Sequence, residues 1–244
     1  MKAPRVPFGG ITTLTGERLR EILGIVRIGI IGAGHIGGGI AQQAIRAGHQ
    51  VMISFSRDQD ELREEAKQLG AASGTPADAV KFGEIVILSA PWSAIDVALE
   101  QAGSLQGKIV VDTTNQFGPG PKPKAGQTAA SFNASRMPGA RYVKSFNTLT
   151  AGFQADASRR PGHDRVVQWI AGDDAEAKKT VASFIESLGF AAVDLGGTAE
   201  CAVMEAPRRP GAVYGEEYRA GDAKDVVAAV KAGRSIPPVP EYAS

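Results

Sequence analysis

Apolar residues follow two alternating patterns along this chain. Short runs rich in Val and Ile, typical of strands buried on both faces of a sheet, alternate with stretches in which apolar residues recur every three or four positions, as on one face of a helix. Strands are predicted at residues 26–31, 51–55, 84–90, 108–112, 141–148, 166–172 and 190–195. This alternation predicts an α/β fold with a doubly wound, mainly parallel sheet and right-handed crossovers.

The predicted helices begin and end at recognisable capping residues. Asp58 precedes the helix at 59–69, and Thr75 with Pro76 opens the helix at 76–82, which are favoured residue types at a helix start. Gly48 is a suitable residue just after the end of the first helix. Other helices are predicted near 92–101, 129–132 and 174–188, with less regular ones at 15–23, 199–205 and 221–232.

A glycine pattern lies where the first strand passes into the first helix. Gly32, Gly34 and Gly37 follow the apolar run in the spacing Gly-x-Gly-x-x-Gly. In a strand–turn–helix context these glycines allow a tight turn, close approach of the backbone to a pyrophosphate, and close packing of helix on strand. The free N–H groups at the helix start favour an anion. The pattern therefore predicts a Rossmann-type dinucleotide-binding fold.

The end of the second strand predicts which dinucleotide is bound. Proteins that select NAD usually carry Asp or Glu there to bind the ribose 2′-hydroxyl, whereas this chain has Ser56 and Arg57. A guanidinium suits a 2′-phosphate, which it can hold through charged hydrogen bonds. We therefore expect NADP(H) rather than NAD(H), the alternative being that Arg57 is an ordinary solvated loop residue.

The ends of the later strands supply the remaining candidate residues, because ligands of such sheets bind beyond the carboxyl ends of the strands. Trp92 follows Ala90 and Pro91, and its ring either walls a pocket for a planar ligand or belongs to the core. Asn115 either bonds a carboxamide of the ligand or forms a local Asx turn. The stretch at 116–138, rich in Gly, Pro, Ser and Ala, is predicted to be a binding loop or lid.

Composition bears on the partners, the covalent and metal sites, and the compartment of the protein. A formal net charge of +1 gives no electrostatic reason to expect a nucleic acid or an anionic membrane as partner. The single cysteine, Cys201, excludes an intrachain disulfide, and three well-separated histidines offer no metal-ligand spacing. With neither a signal-peptide core nor an apolar run of membrane-spanning length, a cytoplasmic protein is expected.

Candidates for side-chain catalysis are few. The Gly-x-Ser-x-Gly turn of hydrolases is missing, and Lys144 is the one strand-end residue we consider as an acid or base. The chain also lacks the long run of C-terminal helices that covers the substrate in many imine, hydroxy-acid and ketone reductases. Hydride transfer between two cofactor rings requires proximity and stacking rather than an ionisable side chain. No catalytic residue and no metal are therefore predicted.

Six short motifs occur in one order along the chain, at residues 31–38, 56–57, 90–92, 112–115, 144–148 and 171–175. Together they resemble the NADPH-dependent F420 reductase family (F420H2:NADP oxidoreductase-like proteins), and the resemblance covers about residues 26–207. It implies a Rossmann-type NADP-binding domain, often a homodimer, that moves hydride between the nicotinamide and a 5-deazaflavin, coenzyme F420. We accordingly interpret residues 1–25 as an N-terminal extension, 26–195 as the NADP-binding domain, and 196–244 as a small C-terminal segment available for substrate or dimer contacts.

The resemblance also implies roles for individual residues. The pyrophosphate would be held by Gly32, Gly34, His35, Ile36 and Gly37. The 2′-phosphate would be held by Ser56 and Arg57. The pocket for the nicotinamide and the deazaflavin would be lined by Ala90, Pro91, Trp92, Asn115, Phe146 and Asn147.

The chain departs from the family pattern at two positions, and one further segment bears on the choice of acceptor. Asp58 stands where the deazaflavin reductases often carry a second basic residue, His35 replaces a smaller polar residue, and the segment at 199–215 is expected to determine substrate specificity. Two other functions therefore remain open. One is NADPH-dependent reduction of a flavin, a quinone or a small carbonyl compound, and the other is NADP sensing without catalysis.

Overall fold

The structure, a computed structural model, describes Arg20, residues 22–206, Arg208 and residues 211–242. Most of the predicted N-terminal extension and of the predicted helix at 15–23 lies outside these residues. The proposed division of the chain at residues 25 and 195 stays a prediction.

A single sheet organises the described part of the chain, with strand order β3-β2-β1-β4-β5-β6-β7-β8. Its strands are β1 (Arg27–Ile31), β2 (Gln50–Ser54), β3 (Ala72–Gly74), β4 (Ile85–Leu88), β5 (Ile109–Asp112), β6 (Arg141–Lys144), β7 (Val167–Ala171) and β8 (Ala191–Gly196). Strands β1 to β6 are parallel, β7 runs antiparallel to β6, and β8 is parallel to β7. The predicted doubly wound, mainly parallel sheet is confirmed.

The helices cover both faces of this sheet. They are α1 (His35–Arg46), α2 (Gln59–Leu69), α3 (Pro76–Phe82), α4 (Ile95–Ala102), α5 (Ala129–Ser135), α6 (Ala151–Ala157), α7 (Ala175–Ser187) and α8 (Ala220–Lys231). Short 3-10 turns occupy Trp92–Ala94, Gly162–Asp164 and Glu200–Met204. Because successive residues of a strand point to opposite faces, β4 contributes Ile85 and Ile87 to one buried cluster, and Val86 and Leu88 to the other.

The topology defines one edge at which a ligand can bind. Strand β1 lies between β2 and β4, so the chain winds outward on one side of β1 and then crosses to the other side. The loops after β1 and β4 leave the sheet in opposite directions at this point, and the crevice between them is where doubly wound proteins bind nucleotides. The carboxyl ends of β1, β4, β5 and β6 share this edge because these strands are parallel.

Several predicted elements differ in detail. Strand β3 was not predicted, since Ala72–Gly74 is short, lies at the sheet edge and has low β propensity. The strand expected at 141–148 ends at Lys144, where Phe146 adopts a positive φ of 58° and turns the chain out of the sheet. The helix expected at 199–205 is a 3-10 turn, whereas that expected at 221–232 is α8.

Candidate dinucleotide-binding site

The turn between β1 and α1 requires two of its three glycines for backbone reasons. Gly32 has a φ of +105°, and a Cβ there would lie 2.6 Å from the carbonyl carbon of Ser89. A Cβ on Gly37 would lie 1.9 Å from the carbonyl oxygen of Gly32. The first glycine therefore permits the tight turn, and the second lets helix α1 pack against the end of β1, which are the roles expected of this pattern.

Gly34 differs from its neighbours because space around it is open. A Cβ there would meet nothing within 4 Å, the residue is exposed, and it is the N-cap of α1. That cap provides no side-chain hydrogen bond, and the first turn of α1 carries no acidic residue. Five other helices are capped by a side chain, from Asp58, Thr75, Thr128, Thr150 or Asp174. The start of α1 thus offers backbone N–H groups to an anion, and a pyrophosphate fits it.

The two residues after Gly34 take different places. The His35 side chain is exposed beside the open turn, whereas Ile36 is partly buried and packs against the core. If a pyrophosphate binds here, Ile36 contributes through its backbone while His35 borders the ligand.

The end of β2 places Arg57 in solvent. The Arg57 side chain is exposed and makes no hydrogen bond or ion pair within the described part of the chain. The neighbouring carboxylate of Asp58 accepts the backbone N–H groups of Asp60 and Glu61 at 2.9 and 3.0 Å. These bonds hold the pKa of Asp58 below its usual value. This carboxylate is engaged by its own helix, as predicted, and does not pair with the guanidinium of Arg57.

Ser56 lies between the strand end and this helix cap. It is half-buried, and its hydroxyl accepts the backbone N–H of Asp58 at 3.3 Å. Phe55, just before it, has a positive φ of 64°, which turns the chain at the end of β2. The hydroxyl of Ser56 keeps its own hydrogen available as a donor.

Trp92 belongs to the core, which is one of the two places that the sequence left open for its ring, and the indole is therefore not an exposed wall of a pocket. Its side chain is 2% exposed, and its indole Nε1–H donates to the Pro121 carbonyl at 2.8 Å. A Cβ on Gly120 would lie 2.8 Å from Trp92 Cδ1, so the loop needs glycine there to pack on the ring. Trp92 therefore fixes the loop after β5. Of its predecessors, Ala90 is buried and Pro91 is exposed at the strand end.

Asn115 and Asn147 join the ends of β5 and β6. Asn115 Nδ2 donates to the backbone carbonyl of Asn147 at 2.8 Å, and Asn147 Nδ2 donates to Asn115 Oδ1 at 3.1 Å. The Asn115 side chain does not form the expected local Asx turn, and its amide is not free for a carboxamide of a ligand. It bonds instead to the end of β6, which is distant in the sequence. The side chains of Phe146 and Asn147 are buried, so the corner predicted to line the pocket can face a ligand through its backbone and not through exposed side chains.

A buried ion pair lies beneath these strand ends. Lys144 Nζ is 3.1 Å from Asp112 Oδ2, and both side chains are fully buried. Burial raises the pKa of Asp112, but the Lys144 ammonium and hydrogen bonds from Asn133 and Tyr142 outweigh it, so the pKa lies below its usual value. Lys144 is therefore a structural cation and not an accessible acid or base.

The C-terminal segment docks on the same edge, and nothing in the sequence predicts this contact. The Glu205 carboxylate accepts the backbone N–H groups of Ala129 and Ala130 at 3.0 and 2.8 Å, at the start of α5. Asn147 Nδ2 donates to the Met204 carbonyl at 2.6 Å, and the Ala206 N–H donates to Asn115 Oδ1 at 3.3 Å. A negative charge is favourable at a helix start, but no sequence spacing could have paired Glu205 with a helix about 75 residues earlier.

Comparison with known proteins finds a family match over the part of the chain from β1 to the end of β5. Residues 27–116 match the model of the family "NADP oxidoreductase coenzyme F420-dependent". The matched stretch contains the glycine turn, Ser56 and Arg57, and Asn115. This finding confirms the resemblance found in the sequence and places the domain among NADP-dependent oxidoreductases of the Rossmann fold.

Individual relatives agree with this assignment. The metalloreductase STEAP3 of Rattus norvegicus is 29% identical over 182 residues, which is 74% of this chain and 36% of the relative. The chain thus spans about a third of the length of this curated relative.

Solved structures extend the likeness to most of the fold. A hypothetical protein from Sinorhizobium meliloti is 29% identical, with a TM-score of 0.70 and coverage of 80% of this chain and 95% of that one. A protein of Arthrobacter sp. FB24, proposed to be an F420-dependent NADP reductase, is 27% identical, with a TM-score of 0.62 and coverage of 72% and 87%. An imine reductase from Myxococcus stipitatus, at 20% identity and a TM-score of 0.54, shares the fold.

None of the helices in the described part of the chain has the length and apolar character needed to cross a bilayer. Among the described residues, no three His, Cys, Asp or Glu side chains are grouped so that they could hold a metal ion.

Proposed function

We propose that this protein is an NADP(H)-dependent oxidoreductase that transfers hydride between NADPH and a deazaflavin, coenzyme F420. The observation that carries the proposal is the open, uncapped start of α1 at Gly34, in a turn whose other glycines are required by packing. This turn suits a pyrophosphate. The exposed Arg57 at the end of the neighbouring strand β2 suits the 2′-phosphate that distinguishes NADP from NAD.

The residues at the ends of β4, β5 and β6 suit hydride transfer without side-chain proton transfer. When bound, the nicotinamide supplies a hydride, two electrons with one proton, to the acceptor ring. The ionisable groups nearest these strand ends, Asp112 and Lys144, are buried and paired with each other. Asn115 and Asn147 fix the two strand ends relative to each other. The role of this edge is to orient two rings, for which rigid neutral groups suffice.

The identity of the acceptor rests on similarity. The family description and the Arthrobacter protein name F420, whereas the name of the rat relative describes a metalloreductase. Reduction of a flavin, a quinone or a small carbonyl compound, and NADP sensing without catalysis, are the alternatives that the experiment must separate. We also propose a homodimer in the cytoplasm, with no nucleic acid or membrane as partner, and sedimentation of the purified chain tests the dimer.

The first experiment follows NADPH oxidation by its loss of absorbance, with and without oxidised coenzyme F420. We expect F420-dependent oxidation, with NADH a much poorer donor. Turnover with flavin or quinone but not with F420 would mean that the acceptor is one of these compounds and not F420. NADPH binding without any turnover would favour a sensor, and failure to bind NADPH would contradict the whole proposal.

A further inference from the structure

Phe117 presents an open aromatic ring at the ligand-binding edge. Its side chain is 57% exposed, and its N–H donates to the carbonyl of Asn115 at 2.8 Å, just beyond the end of β5. Trp92 and Phe146, which the sequence suggested for the ligand pocket, have their rings buried in the core. Of these three rings, that of Phe117 is therefore the one open to a ligand.

Tyr214 supports this ring from a different part of the chain. The two ring centroids are 6.4 Å apart and the rings are inclined at 60°. The next residue, Gly215, donates its N–H to the Thr148 carbonyl at 2.8 Å, so Tyr214 is tied to the loop that follows β6. A single exposed Phe is common on protein surfaces, but two inclined rings from separate loops offer a planar ligand both a face and an edge.

The loop that carries Phe117 also carries positive charge. Lys122 and Lys124 are exposed, and neither ammonium group has a hydrogen bond or ion pair within the described part of the chain. The loop is held between them and Phe117 by the bond from Trp92 Nε1 to the Pro121 carbonyl. Ammonium groups on flexible stems suit a phosphate on a flexible tail.

We infer that Phe117 and Tyr214 bind the ring of the electron acceptor, and that Lys122 and Lys124 bind its anionic tail. The acceptor is then a tricyclic flavin-type ring with a phosphate-bearing tail, a chemistry shared by coenzyme F420 and flavin mononucleotide. This inference rests on the proposed function for the position of the nicotinamide at the same edge. It assigns acceptor binding to the loop after β5 and the C-terminal segment rather than to the strand-end residues themselves.

The test measures acceptor binding without turnover. Protein saturated with oxidised NADP is titrated into fluorescent F420 or flavin mononucleotide, and quenching gives the Kd. We expect Phe117→Ala and Tyr214→Leu each to raise the acceptor Kd about tenfold, equivalent to about 1.4 kcal/mol, with the Kd for NADP unchanged. Phe117→Tyr, which keeps the ring, and Val97→Ala, which changes an exposed side chain on α4, should bind as the parent does.

The tail is tested separately. Lys122→Gln combined with Lys124→Gln should raise the Kd for flavin mononucleotide but not for riboflavin, which has the same ring and no phosphate. Equal effects on the two would contradict the assignment of the lysines.

Each remaining outcome either supports or overturns the assignment of Phe117 to the acceptor ring. Parent protein that binds neither ring, or Phe117→Ala that binds as the parent does, overturns the inference. A shift of Phe117→Ala from dimer to monomer with unchanged acceptor binding also overturns it, because the ring would then belong to a subunit interface. Binding of flavin mononucleotide but not F420 supports the inference and removes F420 from the proposed function. Binding of F420 without hydride transfer supports the inference and contradicts the proposed reaction.

Discussion

Asn115 Nδ2 donates to the backbone carbonyl of Asn147, and Asn147 Nδ2 donates to Asn115 Oδ1, across the ends of two parallel strands. The same two side chains hold the C-terminal segment, through the Met204 carbonyl and the Ala206 N–H. The strand ends and the segment that carries Tyr214 are thus connected by one hydrogen-bonded unit. Loosening this unit should disturb both the strand ends and the C-terminal segment that docks on them.

Replacing Asn115 by alanine should loosen the C-terminal segment. The change removes the partner of the Asn147 carbonyl and of the Ala206 N–H, while the Asn147 amide keeps its bond to the Met204 carbonyl. A polar group left unsatisfied away from water costs about 1–3 kcal/mol. We expect faster hydrogen exchange at residues 204–206, measured by mass spectrometry, and weaker acceptor binding. Gln116→Ala, at the adjacent position, is the control. Unchanged exchange in Asn115→Ala would show that the segment is held by other contacts.

The three glycines of the first turn should respond differently to alanine. Gly37→Ala places a Cβ against the Gly32 carbonyl, so we expect loss of stability together with loss of NADP binding. Gly34→Ala has space for its methyl group, so the fold should persist while affinity for NADP falls. Gly39→Ala, also without a steric conflict, should stabilise helix α1 by up to about 1 kcal/mol. Thermal unfolding and calorimetric titration with NADP separate these effects, and equal NADP affinity in Gly34→Ala and Gly39→Ala would argue against phosphate binding at the turn.

Arg57→Ala should remove the preference for NADP over NAD. A hydrogen bond to a charged group contributes about 1.5–3 kcal/mol, so we expect the Kd for NADP to rise about ten- to a hundredfold while the Kd for NAD stays the same. Arg63→Ala, an exposed arginine on α2 paired with Asp60, should change neither value. A parallel loss of affinity for both dinucleotides would mean that Arg57 does not contact the 2′-phosphate.

Lys144→Met should destabilise the protein in a pH-dependent way. The Asp112 carboxylate would remain buried without its counter-charge, which costs about 3–5 kcal/mol near neutral pH. In the parent, the pKa of Asp112 lies below its ordinary value of about 4, so this stabilisation is present above about pH 4 and is lost as the pH falls further.

In Lys144→Met the dependence of stability on pH has the opposite sign. Burial is no longer opposed and raises the pKa of Asp112 above that of the unfolded chain, so the variant loses stability as the pH rises above about 4. The difference in unfolding free energy between parent and variant, from urea titrations, should therefore be largest near neutral pH and shrink in acid. Lys67→Met, at an exposed position on α2, should change stability by no more than about 0.5 kcal/mol at either pH. A gap that stays constant with pH would mean that Asp112 does not depend on Lys144 for its charge.

Features that depend on residues close together in the chain could be predicted from the sequence. Strand runs, the glycine turn, the Asp58 cap and the helix start at Thr75 and Pro76 are visible because each is completed within a few residues. The fold class follows from the alternation of such elements. The Gly32–Gly34–Gly37 pattern likewise carries its own structural meaning, since the constraints act between a strand and the helix that follows it.

The roles of the strand-end side chains could not be predicted in this way, because their partners lie far away in the sequence. Trp92 is anchored by Pro121, Lys144 pairs with Asp112, Asn115 bonds Asn147, and Glu205 bonds the start of α5. The partners are 29, 32, 32 and about 75 positions apart in the sequence. Each residue type, taken locally, fits a ligand pocket as well as it fits a core. Which of the two applies depends on which strands become neighbours and which loops fold over their ends. Burial and partners at that distance are properties of the assembled sheet, because only its packing removes those groups from water.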